Sequence, residues 1–512
     1  MVALASGALF ALAAPSLDWY PALWLGMAGL AFALGSGGDA LPTRSARLRA
    51  GSLRGAAFGV AANVVALRFV PDVIVRFTPL PWTAGALALL LLSVAQSARF
   101  AVAAMVTVGA KKRGVPGALA FGVGIYVGTF VPAVFPWSAA GGVTPWPAMV
   151  QLAELVGERG VTFLMALTSG FAAECLRALV AGQARRRAAI FAAAAILVPV
   201  ATWGYGRWRI GVVEALRARA PHMTIGLVQP SIEASERWDE ARAAGIVARL
   251  ASLTRSAESR GAELTVWPEA AFPYTLNESA RYDLIGDFAV LQPGVRGPVL
   301  AGLMMRGKEG SYNSAAVVTA GRIAPPYHKM HLLAFGEGVP LAGTFPWIRS
   351  TFARGLGLVP GDAQVLQQSG PARIAVLNCF EDTLPEASVE AAAVSPNLLA
   401  NITNDAWFFG SAESELHLRL SVLRAVELRR DMVRAVNRGP TSWIDAAGVV
   451  RGRLDGGFAS TLIAEPALLE HATAYSRAGD WPLGTLLALV IAGALWRTKH
   501  NGRRGKTAAP DV

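Results

Sequence analysis

The sequence predicts two structural parts, a bundle of α-helices that crosses a membrane about eight times and an α/β domain outside the membrane. The 512-residue chain is 53% hydrophobic and 16% charged, whereas a soluble protein carries about 25% charged residues. Long apolar segments fill most of residues 1–206 and return at 481–496, and the sequence between them alternates strand-like and helical patterns. This composition excludes a protein that is soluble over its whole length.

Each predicted span corresponds to an apolar segment of near-bilayer length. A helix needs about 20 apolar residues to cross the hydrocarbon core, and such segments lie at 2–35, 55–72, 82–106, 115–138, 150–176, 188–206 and 481–496. The first is broken by PSLDWYP, so it predicts two short spans and brings the total to eight. A signal peptide at 2–14 is the alternative, but no basic region precedes that stretch and further spans follow at once. Arg99 lies inside an apolar segment and is expected to face other helices rather than lipid.

Basic residues predict which way the helices cross. Lys and Arg cluster in alternate connections, at 44–54, 111–113, 177–187 and 497–506. Because cytoplasmic loops are enriched in these residues, both termini are expected on the cytoplasmic side of the membrane. The net charge of +12 then reflects topology rather than nucleic-acid binding. The predicted domains are a membrane domain at 1–206, an extra-cytoplasmic domain at 207–480, and a final helix with a basic tail at 481–512.

The polar region has the pattern of strands that alternate with helices. Strand-like runs occupy 223–230, 262–268, 297–305, 313–321, 372–378 and 397–403, and residues 415–436 carry apolar side chains at helical spacing. An alternation of this kind predicts sheets covered by helices.

Reactive side chains follow three of the strand-like runs. Glu269 lies in TVWPEAAFP, Lys329 and Glu337 lie in YHKMHLLAFGEGVPL, and Cys379 lies in VLNCFEDTLPE. Strand ends are where ligands and catalytic groups gather in open α/β sheets. Taken singly, these residues have ordinary interpretations: a surface carboxylate, a solvated lysine and a buried cysteine. The chain has two cysteines, which do not make a disulfide framework.

Together these side chains are sufficient for acyl transfer through a thioester. A cysteine with an ordinary pKa near 8.5 is only about 3% thiolate at neutral pH. A glutamate can accept the thiol proton, and a lysine can stabilise the thiolate or a later oxyanion. Glu381 and Asp382 follow Cys379 closely and oppose its ionisation, so the base and the cation are expected from other parts of the chain.

These motifs make the chain resemble a known family. Residues 222–465 resemble the nitrilase superfamily, whose members use a Glu–Lys–Cys triad on an α-β-β-α sandwich. With seven spans before it and one behind, the whole chain is similar to the membrane-embedded branch of that superfamily, the apolipoprotein N-acyltransferases. Further similar segments are FPWSAAG, QLAELVGERGVTFL, VQPSIEASERWD, SYNSAAVV, NITNDAWFFG and LHLRLSVLRAVELRRDMVRAVNRGPTSWID.

The resemblance implies a role for each candidate residue. Glu269 is the expected base, Lys329 the cation and Cys379 the nucleophile. Supporting or substrate-binding roles are implied for Glu337, Glu381, Phe380, Trp238, Trp407 and Asn313. Phe380 departs from the tyrosine that is usual in the family, which keeps an aromatic wall and loses a hydroxyl group. No metal and no cofactor is implied.

The implied reaction moves the sn-1 acyl chain of a phospholipid, through a thioacyl-enzyme, to the N-terminal amine of a diacylglyceryl-cysteine lipoprotein. The implied partners are therefore a phospholipid donor, a diacylated lipoprotein acceptor and the surrounding lipid, and the resemblance suggests a monomer. A membrane-tethered amidase or hydrolase is the first alternative, because water can replace the amine. A transporter with a regulatory domain and a catalytically inactive scaffold are the others.

Overall fold

A computed structural model describes residues 1–35, 43–237, 239–333, 337–338 and 357–504 of the chain. The chain divides into two compact units. One consists of Met1–Trp208 with Ala478–Val512, and the other of Arg209–Arg477. The helices, in chain order, are α1 (Val2–Phe10), α2 (Ala22–Gly35), α3 (Arg44–Ala66), α4 (Val70–Phe77), α5 (Trp82–Gln96), α6 (Ala98–Lys111), α7 (Gly117–Gly128), α8 (Ala139–Gly142), α9 (Ala153–Val180), α10 (Arg185–Arg217), α11 (Ala243–Ser259), α12 (Pro385–Ala393), α13 (Glu413–Leu428), α14 (Ala474–Ala478) and α15 (Trp481–Arg504).

Each of the eight predicted spans overlaps an apolar helix or helix pair. Within the described part of the chain, three helical stretches are long and apolar enough to cross a membrane, namely Trp82–Lys111, Ala153–Val180 and Arg185–Arg217. The pair α3 and α4 meets the same test together, with a bend of 55°. Shorter apolar helices cover Val2–Ala13, Ala22–Gly35, Gly117–Gly128 and Trp481–Trp496. The number of crossings stays a prediction, because length and composition alone define these candidates.

One predicted span is helical over only half its length. The segment 115–138 forms α7 as far as Gly128 and then continues without regular structure. Pro132 and Pro136 lie in the remainder, and proline removes a backbone donor and cannot continue a helix. The apolar composition of this segment was therefore a poorer guide to helix length than its prolines.

Side chains satisfy the backbone of that irregular segment. Gln96 Oε1 accepts from the Phe135 amide at 2.7 Å, and Trp137 Nε1 donates to Asn63 Oδ1 at 3.0 Å. Arg99 Nη1 donates to the Trp137 carbonyl at 3.1 Å. Arg99 thus faces protein, as predicted, and the contacts agree with the rule that irregular backbone within a membrane needs protein partners.

The second unit contains two sheets. Its strands are β1 (Ile225–Gln229), β2 (Leu264–Val266), β3 (Thr275–Asn277), β4 (Val299–Arg306), β5 (Ser311–Thr319), β6 (Arg322–Ile323), β7 (Tyr327–His328), β8 (Gln367–Ser369), β9 (Ala372–Asn378), β10 (Leu398–Asn404), β11 (Met432–Asn437), β12 (Pro440–Ile444), β13 (Val450–Asp455) and β14 (Ser460–Ala464). The first sheet has the order β14-β1-β2-β4-β5-β6, with β3 paired to β4 and β7 paired to β5. The second has the order β13-β12-β11-β10-β9-β8. Each of the six strand-like runs overlaps one of these strands.

The two sheets pack face to face. Successive side chains of each strand point to opposite faces of its sheet, so each sheet has one face toward the other sheet and one face toward helices. Leu300 of β4 and Val376 of β9 belong to one shared core between the sheets. Their neighbours point outward, so Ala301 packs with α11 and Leu377 packs with α12 and α13. Strands buried on both faces read as continuous apolar runs. The resulting order of layers is helix, sheet, sheet, helix, which confirms the predicted nitrilase-like sandwich.

The predicted helix at 415–436 is wrong beyond Leu428. Helix α13 ends at Leu428, Arg429 adopts a left-handed conformation with φ of 51°, and β11 begins at Met432. The strand is buried on both faces, so its apolar residues are nearly continuous. A short run of that kind does not distinguish a helix from a strand by periodicity.

A buried ion pair connects the end of α10 to the second sheet. Arg217 donates two hydrogen bonds to Asp431, both of 2.9 Å, in the bidentate geometry that suits guanidinium and carboxylate. Asp431 also accepts from Trp443 Nε1 and from the amides of Ala446 and Ala467. The carboxylate therefore joins a helix, a strand and two loops of the second unit.

We expect Asp431→Ala to lower the free energy of unfolding by about 3–5 kcal/mol, because it removes the bidentate partner of the buried Arg217 and the acceptor of three further buried N–H groups. The matched control is Asp455→Ala, which removes the exposed partner of Arg453 and should cost at most about 1 kcal/mol. The denaturation midpoint of each purified variant in detergent, followed by tryptophan fluorescence, measures the difference. Equal effects of the two substitutions would contradict the anchoring role.

Candidate active site

The three predicted catalytic residues lie at or near the ends of strands from both sheets. Glu269 follows β2 and Lys329 follows β7, both in the first sheet, whereas Cys379 follows β9 in the second. The Lys329 side chain is only 1% exposed and Glu269 is also buried, while Cys379 keeps a partly exposed surface. The packing of the two sheets brings these strand ends together.

Lys329 is held between two carboxylates. Its Nζ lies 3.2 Å from Glu269 Oε1 and 2.7 Å from Glu337 Oε2. Burial disfavours the charged ammonium, but the two carboxylates outweigh burial and raise the pKa of Lys329. The lysine is therefore a fixed positive charge at neutral pH and is unsuited to act as a proton acceptor.

Asn313, on β5, orients both carboxylates. Its Nδ2 donates to Glu269 Oε1 at 2.7 Å and to Glu337 Oε1 at 3.0 Å. Its Oδ1 accepts from Asn378 Nδ2 at 3.0 Å. Because Asn378 directly precedes Cys379, one amide side chain links the charged groups of the first sheet to the strand of the second sheet that leads to Cys379. This contact gives the polar side chain of Asn378 a partner at the end of a mostly apolar strand.

The second oxygen of Glu269 is also fixed. Glu269 Oε2 accepts from the Asn404 amide at 3.1 Å, and Asn404 Oδ1 accepts from Asn437 Nδ2 at 2.9 Å. Asn437 exchanges two hydrogen bonds with the backbone of Ile232, at 2.7 and 2.8 Å. Asn404 and Asn437 lie in two of the motifs that carry the family resemblance, but neither was among the predicted site residues. The signal for them was an asparagine at the end of each of two strand-forming segments, β10 and β11.

Cys379 combines backbone strain with a thiol that resists ionisation. Its φ is 55°, a left-handed conformation that is rare for a residue with a Cβ, and strain of this type clusters at functional sites. Burial, with the neighbouring Glu269 carboxylate, raises the pKa of the Cys379 thiol well above its usual value, although Lys329 acts in the opposite direction. The residue therefore rests as a thiol and needs a base during attack.

Glu381 holds the loop that carries Lys329 and does not bind the lysine directly. Its carboxylate accepts four hydrogen bonds of 2.7–3.0 Å, from Tyr327 Oη and from the amides of Met330, His331 and Asn378. Burial raises the pKa of Glu381, and the donors only partly offset that effect. Two donors come from the residues just after Lys329 and one from the residue just before Cys379. The carboxylate thereby sets the distance between these two segments.

Of the three aromatic candidates, the structure places Phe380 against Lys329 and leaves Trp407 partly exposed. The ring centroid of Phe380 lies 5.4 Å from Lys329 Nζ, within the range of a cation–π contact. Trp407 lies in the turn after β10 with 42% of its surface exposed. Trp238 is outside the described residues. The structure thus brings together Glu269, Lys329, Cys379, Glu337, Asn313, Glu381 and Phe380.

One group of side chains near the site has the composition of a metal site. The ligand atoms of Asp405, Glu413 and His417 lie within 4.8 Å of one another in the described part of the chain. Burial disfavours a charged imidazole, but Asp382 outweighs burial and raises the pKa of His417 to about 10. An imidazole that keeps its proton is a poor metal ligand, so this geometry favours hydrogen bonding.

Fold and site together define the class of protein. The carbon-nitrogen hydrolase family profile matches residues 224–468, and the profile of the apolipoprotein N-acyltransferase N-terminal domain matches residues 6–171. A Geobacter metallireducens protein named apolipoprotein N-acyltransferase is 31% identical over 97% of this chain and 95% of its own length. An Azotobacter vinelandii protein of the same name is 31% identical over the whole chain and 96% of its own length. An amidase of the nitrilase superfamily from Nesterenkonia AN1 is 18% identical, covers 52% of this chain and 97% of its own, and has a TM-score of 0.38.

The chain belongs to the apolipoprotein N-acyltransferase family. It is therefore an acyltransferase with a carbon-nitrogen hydrolase domain, and its apolar helices are those of a membrane protein.

We expect Glu381→Gln to slow alkylation of Cys379 by iodoacetamide about tenfold, because displacement of Lys329 raises the thiol pKa by about one unit more than removal of the Glu381 charge lowers it. The side-chain amide of the new glutamine has one acceptor oxygen and one NH₂ group, so at least one of the four groups that donate to Glu381 would face an N–H donor. We expect this repulsion to loosen the loop that carries Lys329. Peptide mass spectrometry of the purified protein measures the rate at Cys379 separately from Cys175. Glu386→Gln, which changes an exposed carboxylate on α12, is the matched control. An unchanged rate in Glu381→Gln would show that the loop does not depend on this carboxylate.

Proposed function

We propose that the protein transfers an acyl chain from a phospholipid to the N-terminal amine of a diacylated lipoprotein, through a thioester on Cys379. The observation that carries this proposal is the buried Lys329, paired with Glu269 and Glu337 beside a strained cysteine. Family membership supports the acyl acceptor, because the relatives are named for that activity. The triad supplies a base, a cation and a nucleophile without a metal.

In the first half-reaction, Cys379 Sγ attacks the ester carbonyl carbon and its proton passes to the Glu269 carboxylate. The carbonyl electron pair moves onto oxygen, where the Lys329 ammonium stabilises the charge of the tetrahedral intermediate. The C–O ester bond then breaks, and the lysophospholipid alkoxide takes the proton from Glu269. The products are a thioester on Cys379 and a lysophospholipid.

In the second half-reaction, the lipoprotein amine attacks the thioester carbon and passes a proton to Glu269. The C–S bond breaks, the amide is released, and the departing thiolate takes that proton back. Both substrates use one site in turn, which gives ping-pong kinetics. The resting thiol of Cys379 fits this cycle, because Glu269 has to accept a proton only while a substrate is attacked.

The membrane domain supports lipid substrates, since both the donor and the acceptor are anchored in a leaflet. We place residues 207–480 on the extra-cytoplasmic face of the bacterial inner membrane and both termini in the cytoplasm. The alternating basic connections support this orientation. Trp238 and Trp407 are proposed to contact the acyl chains at the entrance to the site.

Incubation with a phospholipid that carries a labelled sn-1 chain should give a hydroxylamine-sensitive adduct in the wild-type protein. Cys379→Ala should form none, and Glu269→Gln and Lys329→Met should lower its rate of formation by at least about 100-fold. Cys175→Ala is the matched control and should keep the wild-type rate. A labelled adduct that persists in Cys379→Ala would overturn the mechanism.

A diacylated lipopeptide added to the labelled enzyme should receive the acyl chain on its free amine, and mass spectrometry identifies the product. The same lipopeptide with an acetylated amine should leave the thioester intact, because it lacks the nucleophile. Release of the label only as free fatty acid would identify the protein as a hydrolase instead.

The proposed orientation predicts the accessibility of two loop positions. Lys308→Cys, in the turn after β4, should react with a membrane-impermeant maleimide in intact spheroplasts. Lys112→Cys, in the connection after α6, should react only after the membrane is permeabilised. Both changes are made in a Cys175→Ser, Cys379→Ala background so that the new thiol alone is labelled. The reverse pattern would contradict the orientation.

A further inference from the structure

A cluster of buried charges lies directly behind the nucleophile. His417, on α13, is 3% exposed, and its Nε2 lies 2.7 Å from Asp382 Oδ1 and 3.2 Å from the Cys379 carbonyl oxygen. Its Nδ1 faces Asp405 at 3.6 Å. Arg434 and Ser421 donate to the other oxygen of Asp382, at 3.4 and 2.5 Å. The proposed mechanism uses none of these groups, although burying charges in this way is costly.

The charges in this cluster balance when the imidazole is protonated. The Asp382 carboxylate outweighs burial and raises the pKa of His417 to about 10, so the imidazolium persists at neutral pH. Burial raises the pKa of the neighbouring Glu413 to about 8, so that its carboxyl group is mostly neutral there. Asp382 and Asp405 then face two cations, His417 and Arg434. A positive charge is thereby fixed beside the Cys379 carbonyl oxygen.

Two donors hold that carbonyl oxygen. Asn401 Nδ2 donates to the Cys379 oxygen at 3.0 Å. The single Nε2–H of His417 is shared between Asp382 Oδ1 at 2.7 Å and this oxygen at 3.2 Å, so the carbonyl receives the longer branch of a bifurcated hydrogen bond. A trans peptide is planar, so its C=O and the following N–H point in opposite directions. Fixing the Cys379 carbonyl therefore also fixes the N–H of Phe380. A cationic donor on the oxygen polarises the amide and makes that N–H a stronger donor.

We propose that His417 is a positioning residue that aims and polarises the Cys379–Phe380 peptide, so that the Phe380 N–H supplies the second oxyanion donor beside Lys329. This inference rests on the proposed function, because it assigns a donor to the tetrahedral intermediate on Cys379. Backbone N–H groups next to a nucleophile have this role in acyl transfer generally. His417 acts through the peptide and does not touch the substrate.

The test separates stabilisation of the oxyanion from substrate binding. His417→Gln keeps a donor without the charge, and His417→Met removes the donor. We expect kcat for adduct formation to fall about tenfold and about 100-fold respectively, with KM for the phospholipid nearly unchanged. Cys379 Sγ adds to the carbonyl carbon of a long-chain aldehyde and gives a tetrahedral hemithioacetal. The affinity of the His417 variants for this aldehyde should fall by the same factors as kcat. Their affinity for a non-cleavable ether phospholipid should equal that of the wild-type protein.

His222→Gln, at an exposed position, is the matched control and should change none of these quantities. If His417→Met does not fold, Ser421→Ala still weakens the support of Asp382 and should lower kcat and aldehyde affinity together about threefold. Unchanged kcat in folded His417 variants, or equal losses for the aldehyde and the ether lipid, would overturn the inference. A wild-type protein that forms no thioester would instead overturn the proposed function.

Discussion

The buried ammonium of Lys329 is the charge on which the rest of the site depends. A lone cation in this position would be strongly destabilising, so it requires the two carboxylates of Glu269 and Glu337. Those carboxylates need donors of their own, which Asn313 and the Asn404 amide supply. Each group is therefore fixed by the next, and removal of any one leaves a buried charge or donor without its partner. The precision of the site follows from this chain of requirements.

The same arrangement suits the proposed mechanism, in which one glutamate acts as a base next to a lysine. Glu269 shares the ammonium with Glu337, so the positive charge does not hold Glu269 alone. The thiol of Cys379 stays protonated in this environment because burial and the carboxylates oppose the thiolate. In the proposed mechanism, proton transfer is therefore coupled to attack on the substrate, and no reactive thiolate is exposed between turnovers. For an enzyme at a lipid surface, this restrains side reactions with other electrophiles.

Parts of the molecule that depend on local sequence were predictable, and parts that depend on contacts between distant elements were not. Apolar runs located the apolar helices of the first unit and six strands of the second, and motifs at strand ends located the catalytic candidates. Prediction from the spacing of apolar residues failed at Met432–Asn437, because both faces of this strand are buried and its apolar residues show no alternation with polar ones. It could not foresee that Asn313 reaches Asn378 across two sheets, or that Glu381 acts on the backbone after Lys329. Such links arise only when sheets separated in sequence are packed together.

Two networks of hydrogen bonds and ion pairs meet at Cys379. One surrounds its thiol and the other holds its backbone carbonyl. In the proposed mechanism, the network of the first sheet, with Lys329 and its carboxylates, accepts the thiol proton and stabilises the negative charge on the substrate oxygen. The network of the second sheet, with Asp382 and His417, grips the carbonyl behind the nucleophile and is consistent with its left-handed backbone. Phe380 lies between them, since its ring approaches Lys329 and its amide follows the gripped carbonyl. The ring contact needs a π face and no hydroxyl, so phenylalanine can occupy a position where tyrosine is usual without disturbing either network.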